Sequence, residues 1–295
     1  MRVTNRMMTE NAIGHLNENI DRLNTLAERV SSGKQFRSAS DNPSAASASL
    51  VLRSTLKTTQ AYLTTAQNSD EWMSATEFAF KQMSDLGTRA ITLAKQGLSD
   101  TLSGKERRDA LGTEMTAILE NAVDIANSSH QGNYLFAGFK VSMATVPFTL
   151  TGAAVTYSGD TGSLQREIGP NQTITVNVNG DTAFTPLFDA LIDARDALNT
   201  NNAAQIESAV NALSAAMDTL GGVRTTNGAR QRQLRTGIDR IEKTQIELKS
   251  LLTQKEDVNL AEAISLLQNQ ESTYKTVLEV AQRTISALNL FDYLR

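Results

Sequence analysis

The chain has no cysteine among its 295 residues, so disulfides, thiolate nucleophiles and cysteine-ligated metals are excluded together. Histidine is nearly as scarce. His15 and His130 are the two in the sequence, too far apart to form the i, i+4 pair that holds a metal on a helix face, and each reads as a solvated or packed imidazole. There is no phosphate-binding Gly-x-x-x-x-Gly-Lys loop, no Gly-x-Gly-x-x-Gly after a strand and no Gly-x-Ser-x-Gly elbow. Acid pairs such as Asp193 with Asp196 or Glu106 with Asp109 have the three-residue spacing of an ordinary polar helix face. No catalytic residue, metal ligand or cofactor site is nominated, and the expectation is a protein that is not an enzyme. A net charge of -4, with lysine and arginine spread along the chain, provides no basic stripe to neutralise phosphates, so nucleic acid is not an expected partner. No apolar run approaches the roughly 20 residues of a spanning helix, which removes the membrane as well. The opening Met1-Arg2-Val3-Thr4-Asn5-Arg6-Met7-Met8 lacks the apolar stretch of a cleavable signal, giving the expectation of a protein that is either cytosolic or exported without a cleaved leader. Aromatic residues make up only 5%, with a single tryptophan, Trp72; the apolar surface therefore comes from Leu, Ile, Val and Ala, which suit narrow helix-to-helix contacts.

What is present is a hydrophobic rhythm at both ends. Ile13, Leu16, Ile20, Leu23, Ala27 and Val30 alternate steps of three and four, and so do Leu260, Ile264, Leu267, Tyr274, Leu278, Ala281, Ile285 and Leu288, with Glu271 in the missing slot. These are seams of amphipathic helices. An isolated helix of this length is marginal in water, so each end requires a partner helix from the same chain or a neighbouring copy. The candidate assembly interface is accordingly Ile13, Leu16, Ile20, Leu23, Val30, Leu260, Ile264, Leu267, Tyr274, Leu278, Ile285 and Leu288. Stripes left uncovered in the free monomer would keep the ends frayed until neighbouring copies supply the missing surface.

The pattern divides the chain into residues 1–42 (terminal helix and loop), 43–131 (first helical part), 132–186 (β-rich insert), 187–255 (second helical part) and 256–295 (second terminal helix). Asn42 and Pro43 read as the N-cap and first position of a helix that runs to Gly97, roughly 80 Å at 1.5 Å per residue, with Asp41 in the capping loop and not in a metal site. A further helix is expected after Gly104. In the insert the period falls to two, as in Val146, Phe148, Leu150 and Ile174, Val176, Val178, which predicts about four strands, with Asn179-Gly180 a turn signal. Helix resumes at Leu187, turns at Asn199–Asn202, and is expected to close at Gly221-Gly222 before a last long helical third containing Ile238, Ile241, Gln245, Leu248 and Leu252. The fold class is mainly α: an elongated helical bundle or coiled coil formed by the N- and C-terminal regions, carrying a small inserted β-rich domain.

Specific residues add to this reading. Arg29-Val30-Ser31-Ser32-Gly33-Lys34 followed by Ser38-Ala39-Ser40-Asp41-Asn42-Pro43-Ser44-Ala45-Ala46 resembles the N-terminal signature of bacterial flagellins and their relatives. Gly132-Asn133-Tyr134-Leu135-Phe136-Ala137-Gly138-Phe139, the opening residues, the closing Phe291-Asp292-Tyr293-Leu294-Arg295 and the stretch from Glu256 to Ile264 with Gln270-Glu271-Ser272-Thr273-Tyr274 are more similar to the hook–filament junction branch of that superfamily than to flagellin itself. Gln35-Phe36-Arg37 and Asn42 depart from the usual flagellin residues without removing a cap or a seam position. The resemblance implies an exported axial protein of the bacterial flagellum. Its terminal helices would pair as an inner coiled coil, its middle helices form the next shell and its insert face outward. The implied partners are further copies of the chain in a ring, the other junction protein on the hook side, flagellin on the filament side, and an export chaperone at the C-terminal region. The alternatives are flagellin of the filament itself and, more remotely, a cytosolic helical signalling rod.

Overall fold

The computed structural model describes the backbone of residues 2–99, 104–142, 144–152 and 154–293, with side chains throughout except those of residues 2–6, 8–9, 104–108 and 284–293. Six helices, α1 (Arg2–Ser32), α2 (Pro43–Gly97), α3 (Gly104–Ala126), α4 (Gly180–Thr200), α5 (Ala203–Glu256) and α6 (Leu260–Tyr293), account for most of them, and the strands all lie between α3 and α4. The protein is mainly α with a small β region, as the periodicity requires. Its backbone divides into a unit of residues 1–58 and 245–295 and a unit of residues 59–244, with α2 and α5 contributing to each.

Polar side chains set where the helices begin. Asn42 Oδ1 accepts from Ala45 N at 3.1 Å, one step before Pro43 opens α2. Asn202 caps α5 through Gln205 N at 3.3 Å, and Asn259 caps α6 through Glu262 N at 3.4 Å. Each satisfies one of the donors that a helix start leaves orphaned. Asp41 takes Arg37 N and Ser38 N at 3.1 and 2.9 Å, and these backbone donors hold its carboxyl below the usual range; it organises the loop. α1 ends at Gly33, whose φ of +67° lets its N–H return to Arg29 O at 2.9 Å.

Two helix boundaries differ from the sequence pattern. The helix expected from Leu187 begins at Gly180, because Asn179 acts as an N-cap, accepting from Asp181 N, and not as a hairpin turn. Pro186 is carried inside the second turn, where burial of Phe184, Leu187 and Phe188 outweighs the lost hydrogen bond. Gly221-Gly222 do not close a helix either: α5 runs through them without a break. The hydroxyls of Thr225 and Thr226 donate to the carbonyls of Gly221 and Gly222 at 2.8 and 3.0 Å, and buried Leu213, Ala216, Leu220 and Leu234 anchor the helix on both sides, overriding a propensity cost of about 1 kcal/mol per glycine.

In the second unit the insert is three separate antiparallel pairs instead of about four strands: β1 (Ser129–His130) with β2 (Asn133–Tyr134), β3 (Phe148–Thr151) with β4 (Ala154–Tyr157), and β5 (Gln165–Gly169) with β6 (Gln172–Thr175). Val176 and Val178 extend the β6 alternation as buried chain outside any ladder. The β3–β4 pair packs on helices through aromatic rings. Phe80 of α2, Phe136, Phe148 of β3 and Phe184 and Phe188 of α4 are all at most 1% exposed and meet at centroid distances from 4.6 to 6.2 Å, the Phe136–Phe184 pair edge-on. Asn127 clamps this corner: its amide donates to Phe148 O and its carbonyl accepts Phe148 N, both at 2.8 Å. A smaller cluster of Ala66, Met73, Ile168, Ile174, Val176 and Leu234 seats β5 and β6 on α2 and α5.

Candidate assembly interface

The first unit brings α1 and α6 together, as the two seams require. Leu16, Ile20, Leu23 and Val30 on α1, and Leu267 and Tyr274 on α6, are half-buried. Ile13, Leu260, Ile264 and Leu278 remain exposed, at 50%, 49%, 43% and 36%. Ile285 and Leu288 lie among the side chains outside the described residues. The inner stripe of α6 is Ala263, Leu267, Gln270, Tyr274, Val277 and Ala281, a strict four-three alternation. It keeps Leu267, Tyr274 and Ala281 of the stripe that hydrophobicity alone selects and takes Ala263, Gln270 and Val277 in place of Ile264, Glu271 and Leu278, because the larger apolar residues next to it dominate the sequence pattern. Gln270, not Glu271, fills the polar slot. Its amide donates to Asn19 Oδ1 at 2.9 Å and to Asn19 O at 3.4 Å, and Asn19 in turn donates to His15 O at 2.8 Å.

Packing along the pair is loose. Among the described side chains none of α1 is fully buried, and Ala263 is the one in α6 that is. Ala12 and Ala281 border open grooves on both sides of the pair, about 570 Å³ beside His15, Asn19 and Val277 and about 190 Å³ beside Ile13, Leu16 and Leu278. The parts of α2 and α5 in this unit also carry exposed apolar residues: Leu50 is 68% exposed, Val51 63% and Ile246 68%.

At the base of the pair the two chain turns are laced together. Gln35 N donates to Glu256 O at 2.7 Å and Val258 N to Gly33 O at 3.0 Å, around an antiparallel bridge between Lys34 and Asp257. The Glu256 side chain, only 6% exposed, takes Arg53 Nε and Nη2 at 2.7 Å each and Lys34 Nζ at 3.3 Å. The forked hydrogen bonds from Arg53 hold the Glu256 carboxyl below its ordinary range against the opposing effect of burial. This lock escapes sequence reading, since nothing in the spacing of Lys34, Arg53 and Glu256 links them. The Asn19–Gln270 pair did have a signal, namely a polar residue in phase with the Leu267–Tyr274 step. The arrangement is suited to holding helices in register and offering an apolar face, and among the described residues no group of three or more His, Asp or Glu side chains could hold a metal ion. Nor is any described helix long and apolar enough to cross a membrane.

Known proteins share this organisation. The bacterial flagellin N-terminal helical region matches residues 3–140. Flagellar hook-associated protein 3 of Salmonella typhimurium is 26% identical over 221 residues, covering 72% of this chain and 67% of the relative, and its Escherichia coli counterpart is 26% identical over 220 residues, with the same shares. Among solved structures, a flagellar hook-associated protein from Vibrio parahaemolyticus superimposes with a TM-score of 0.68 at 17% identity, covering 74% of this chain and 100% of that one. FlgL of Bacillus cereus gives 0.61 at 22%, covering 69% and 99%; at such identities the likeness is one of fold. The chain thus has a flagellin-type N-terminal region within a mainly helical fold shared with these structures. Over 72% of its length it is similar in sequence to flagellar hook-associated protein 3.

Proposed function

We propose that the chain forms the hook–filament junction, a ring of copies that adapts the hook, through the other junction protein, to the flagellin filament. The observation that carries this reading is the unsatisfied terminal pair: α1 and α6 cover one apolar stripe of each other and leave Ile13, Leu260, Ile264 and Leu278 at the surface, in a chain whose curated relatives are named hook-associated protein 3. Residues 1–42 and 256–295 form the inner polymerisation core, 43–131 and 187–255 the next shell, and 132–186 the outward insert. The twelve seam residues, Ile285 and Leu288 included, are the contact surface between copies. The subunit leaves the cell through the flagellar export channel, escorted beforehand by a chaperone on its C-terminal region, and acts outside the cell as a mechanical adaptor without catalysis.

The flagellin reading is the weaker one, since both curated relatives carry the name of the junction protein and neither that of the filament protein. Deleting the gene separates the two. Hooks that lack filaments, with flagellin spilled into the medium, are the expected result. Bare hooks with no flagellin outside would make this chain the filament subunit, and unaltered filaments would end both readings.

A further inference from the structure

In the second unit, α2, the β1–β2 turn and β5 border a groove of about 390 Å³, a volume in the range of small-ligand sites. Its charge is one-sided. Arg166 of β5 lines it, exposed and without an ion pair among the described residues, and none of the described lining residues is acidic. Glu167, the next residue of the strand, accepts from the Tyr62 hydroxyl at 3.3 Å. The side chains of Asn68, His130 and Gln131 also line the groove; all three are open to solvent and none makes a hydrogen bond among the described residues. Gln131 holds a left-handed φ of +51°, uncommon for a residue other than Gly, Asn or Asp, in the turn that brings it to the groove. Ser69 and Asn133 belong to the lining as well but are engaged by the fold: Ser69 Oγ donates to Thr65 O at 2.6 Å, and Asn133 Oδ1 accepts from Ser142 Oγ at 2.7 Å. Trp72 is half-buried with its Nε1 sealed from solvent, so what it offers to the groove is ring carbon. Its edge-on contact with His130, at a centroid distance of 6.2 Å, holds the two rings together.

We propose that this groove binds a sugar acid of the hexuronate class. The carboxylate pairs with the Arg166 guanidinium, whose planar fork matches it. The amides of Asn68 and Gln131, each donor and acceptor at once, and the His130 imidazole meet the ring hydroxyls, which also donate and accept. The C–H face of the pyranose covers the ring carbon of Trp72. An inorganic anion would use Arg166 and leave the amide carbonyls and the indole aside, whereas a neutral hexose would leave the arginine without a counter-charge. The groove lies outside the terminal helices, so the inference goes beyond the junction reading and does not depend on it.

Trp72 is the single tryptophan of the chain, so its fluorescence reports on this groove alone. The test titrates the full chain with D-glucuronate, methyl β-D-glucuronide, D-glucose and inorganic phosphate, with amide shifts to locate the change. Glucuronate should give a saturable response with a Kd of about 1 mM and shifts confined to residues 65–72, 129–133 and 164–166, while glucose and phosphate bind about tenfold more weakly or not at all. Binding of the glycoside as tight as that of glucuronate supports a uronate within a polymer, and its exclusion supports the free sugar acid. Arg166→Gln should weaken glucuronate about tenfold, Arg166→Lys less, and Asn68→Ala about two- to tenfold. Arg166 and Asn68 are exposed, so these variants leave the packed core intact. No saturable response to glucuronate, glucose or phosphate bound as tightly, shifts centred elsewhere, or unchanged binding in Arg166→Gln would each overturn the proposal.

Discussion

Gln270 reaches across the terminal helix pair to Asn19, donating to its side-chain carbonyl at 2.9 Å and its backbone carbonyl at 3.4 Å in the middle of an otherwise apolar seam. A single polar pair in such a seam fixes register more than it adds stability, because any slip leaves buried polar atoms unmatched. Replacing both residues, Asn19→Leu with Gln270→Leu, removes that penalty. The double variant should show an α1–α6 pair as stable as the parent's or up to about 1 kcal/mol more stable, yet assemble less faithfully. Urea titration of the monomer followed by complementation of a deletion strain for swimming checks both halves; a less stable pair that still supports full motility would contradict the register role.

The outer stripe separates assembly from folding more sharply. Ile264 is 43% exposed, so Ile264→Asp should change monomer stability by no more than about 0.5 kcal/mol while blocking incorporation, because the charge lands where a neighbouring copy must cover apolar surface. Leu23→Asp and Leu267→Asp strike half-buried positions and should open the terminal pair as well, leaving residues 59–244 folded. Circular dichroism of purified monomers and electron microscopy of complemented cells distinguish these outcomes. Normal filaments with Ile264→Asp would remove this stripe from the interface.

Because so little of the pair is fully buried, its amides should exchange readily in the free monomer. Protection across residues 10–32 and 260–283 is expected to fall well below that of residues 66–94, where Ala66, Met73, Phe80, Met83, Ala90 and Ala94 are sealed from solvent. Equal protection in hydrogen exchange would mean that the ends fold independently of assembly.

How far the sequence discloses all this depends on the kind of signal. Long apolar periodicity and polar caps are local, so the extent of α2 from Pro43 to Gly97, the pairing of the two ends and the cap at Asn42 are legible. The phase of α6 is not, since Leu260, Ile264 and Leu278 are larger and more hydrophobic than the Ala263 and Gln270 that actually face α1; choosing between adjacent stripes needs the partner. The Glu256 lock joins residues about two hundred positions apart in the chain, a relation set by the fold alone. Asn179 and Gly221-Gly222 misdirect for the opposite reason: their local preference for a turn is genuine and is overridden by the packing of Phe184, Phe188, Leu220 and Leu234.

The Glu256 lock makes the first unit sensitive to acid. Its carboxyl is held below an ordinary value of 4.5 chiefly by Arg53, so the folded state binds this proton less readily than the unfolded chain does. The stabilisation is therefore complete above about pH 5 and is lost as pH falls through the depressed value. As the pH falls through that depressed value, the turns at 33–35 and 256–258 should become cleavable by an acid protease before residues 59–244 do. Glu256→Gln should bring the same lability to neutral pH at a cost of about 1–2 kcal/mol, modest because Arg53 and Lys34, at 60% and 43% exposed, regain water when released. Acid cleavage appearing first within residues 59–244 would place the weak point elsewhere.

Gly221 and Gly222 offer the converse experiment. Both stand mid-helix in α5 with nothing within 4 Å of where a Cβ would sit. Gly221→Ala and Gly222→Ala should each stabilise the protein by about 0.5–1 kcal/mol, by lowering the backbone freedom of the unfolded chain and raising helix propensity. The gain should appear as a higher Tm in the monomer. If motility falls in the double variant while Tm rises, α5 has to bend at these glycines during assembly; if Tm fails to rise, α5 is not continuous there in solution, and the glycines close a helix as their local preference suggests.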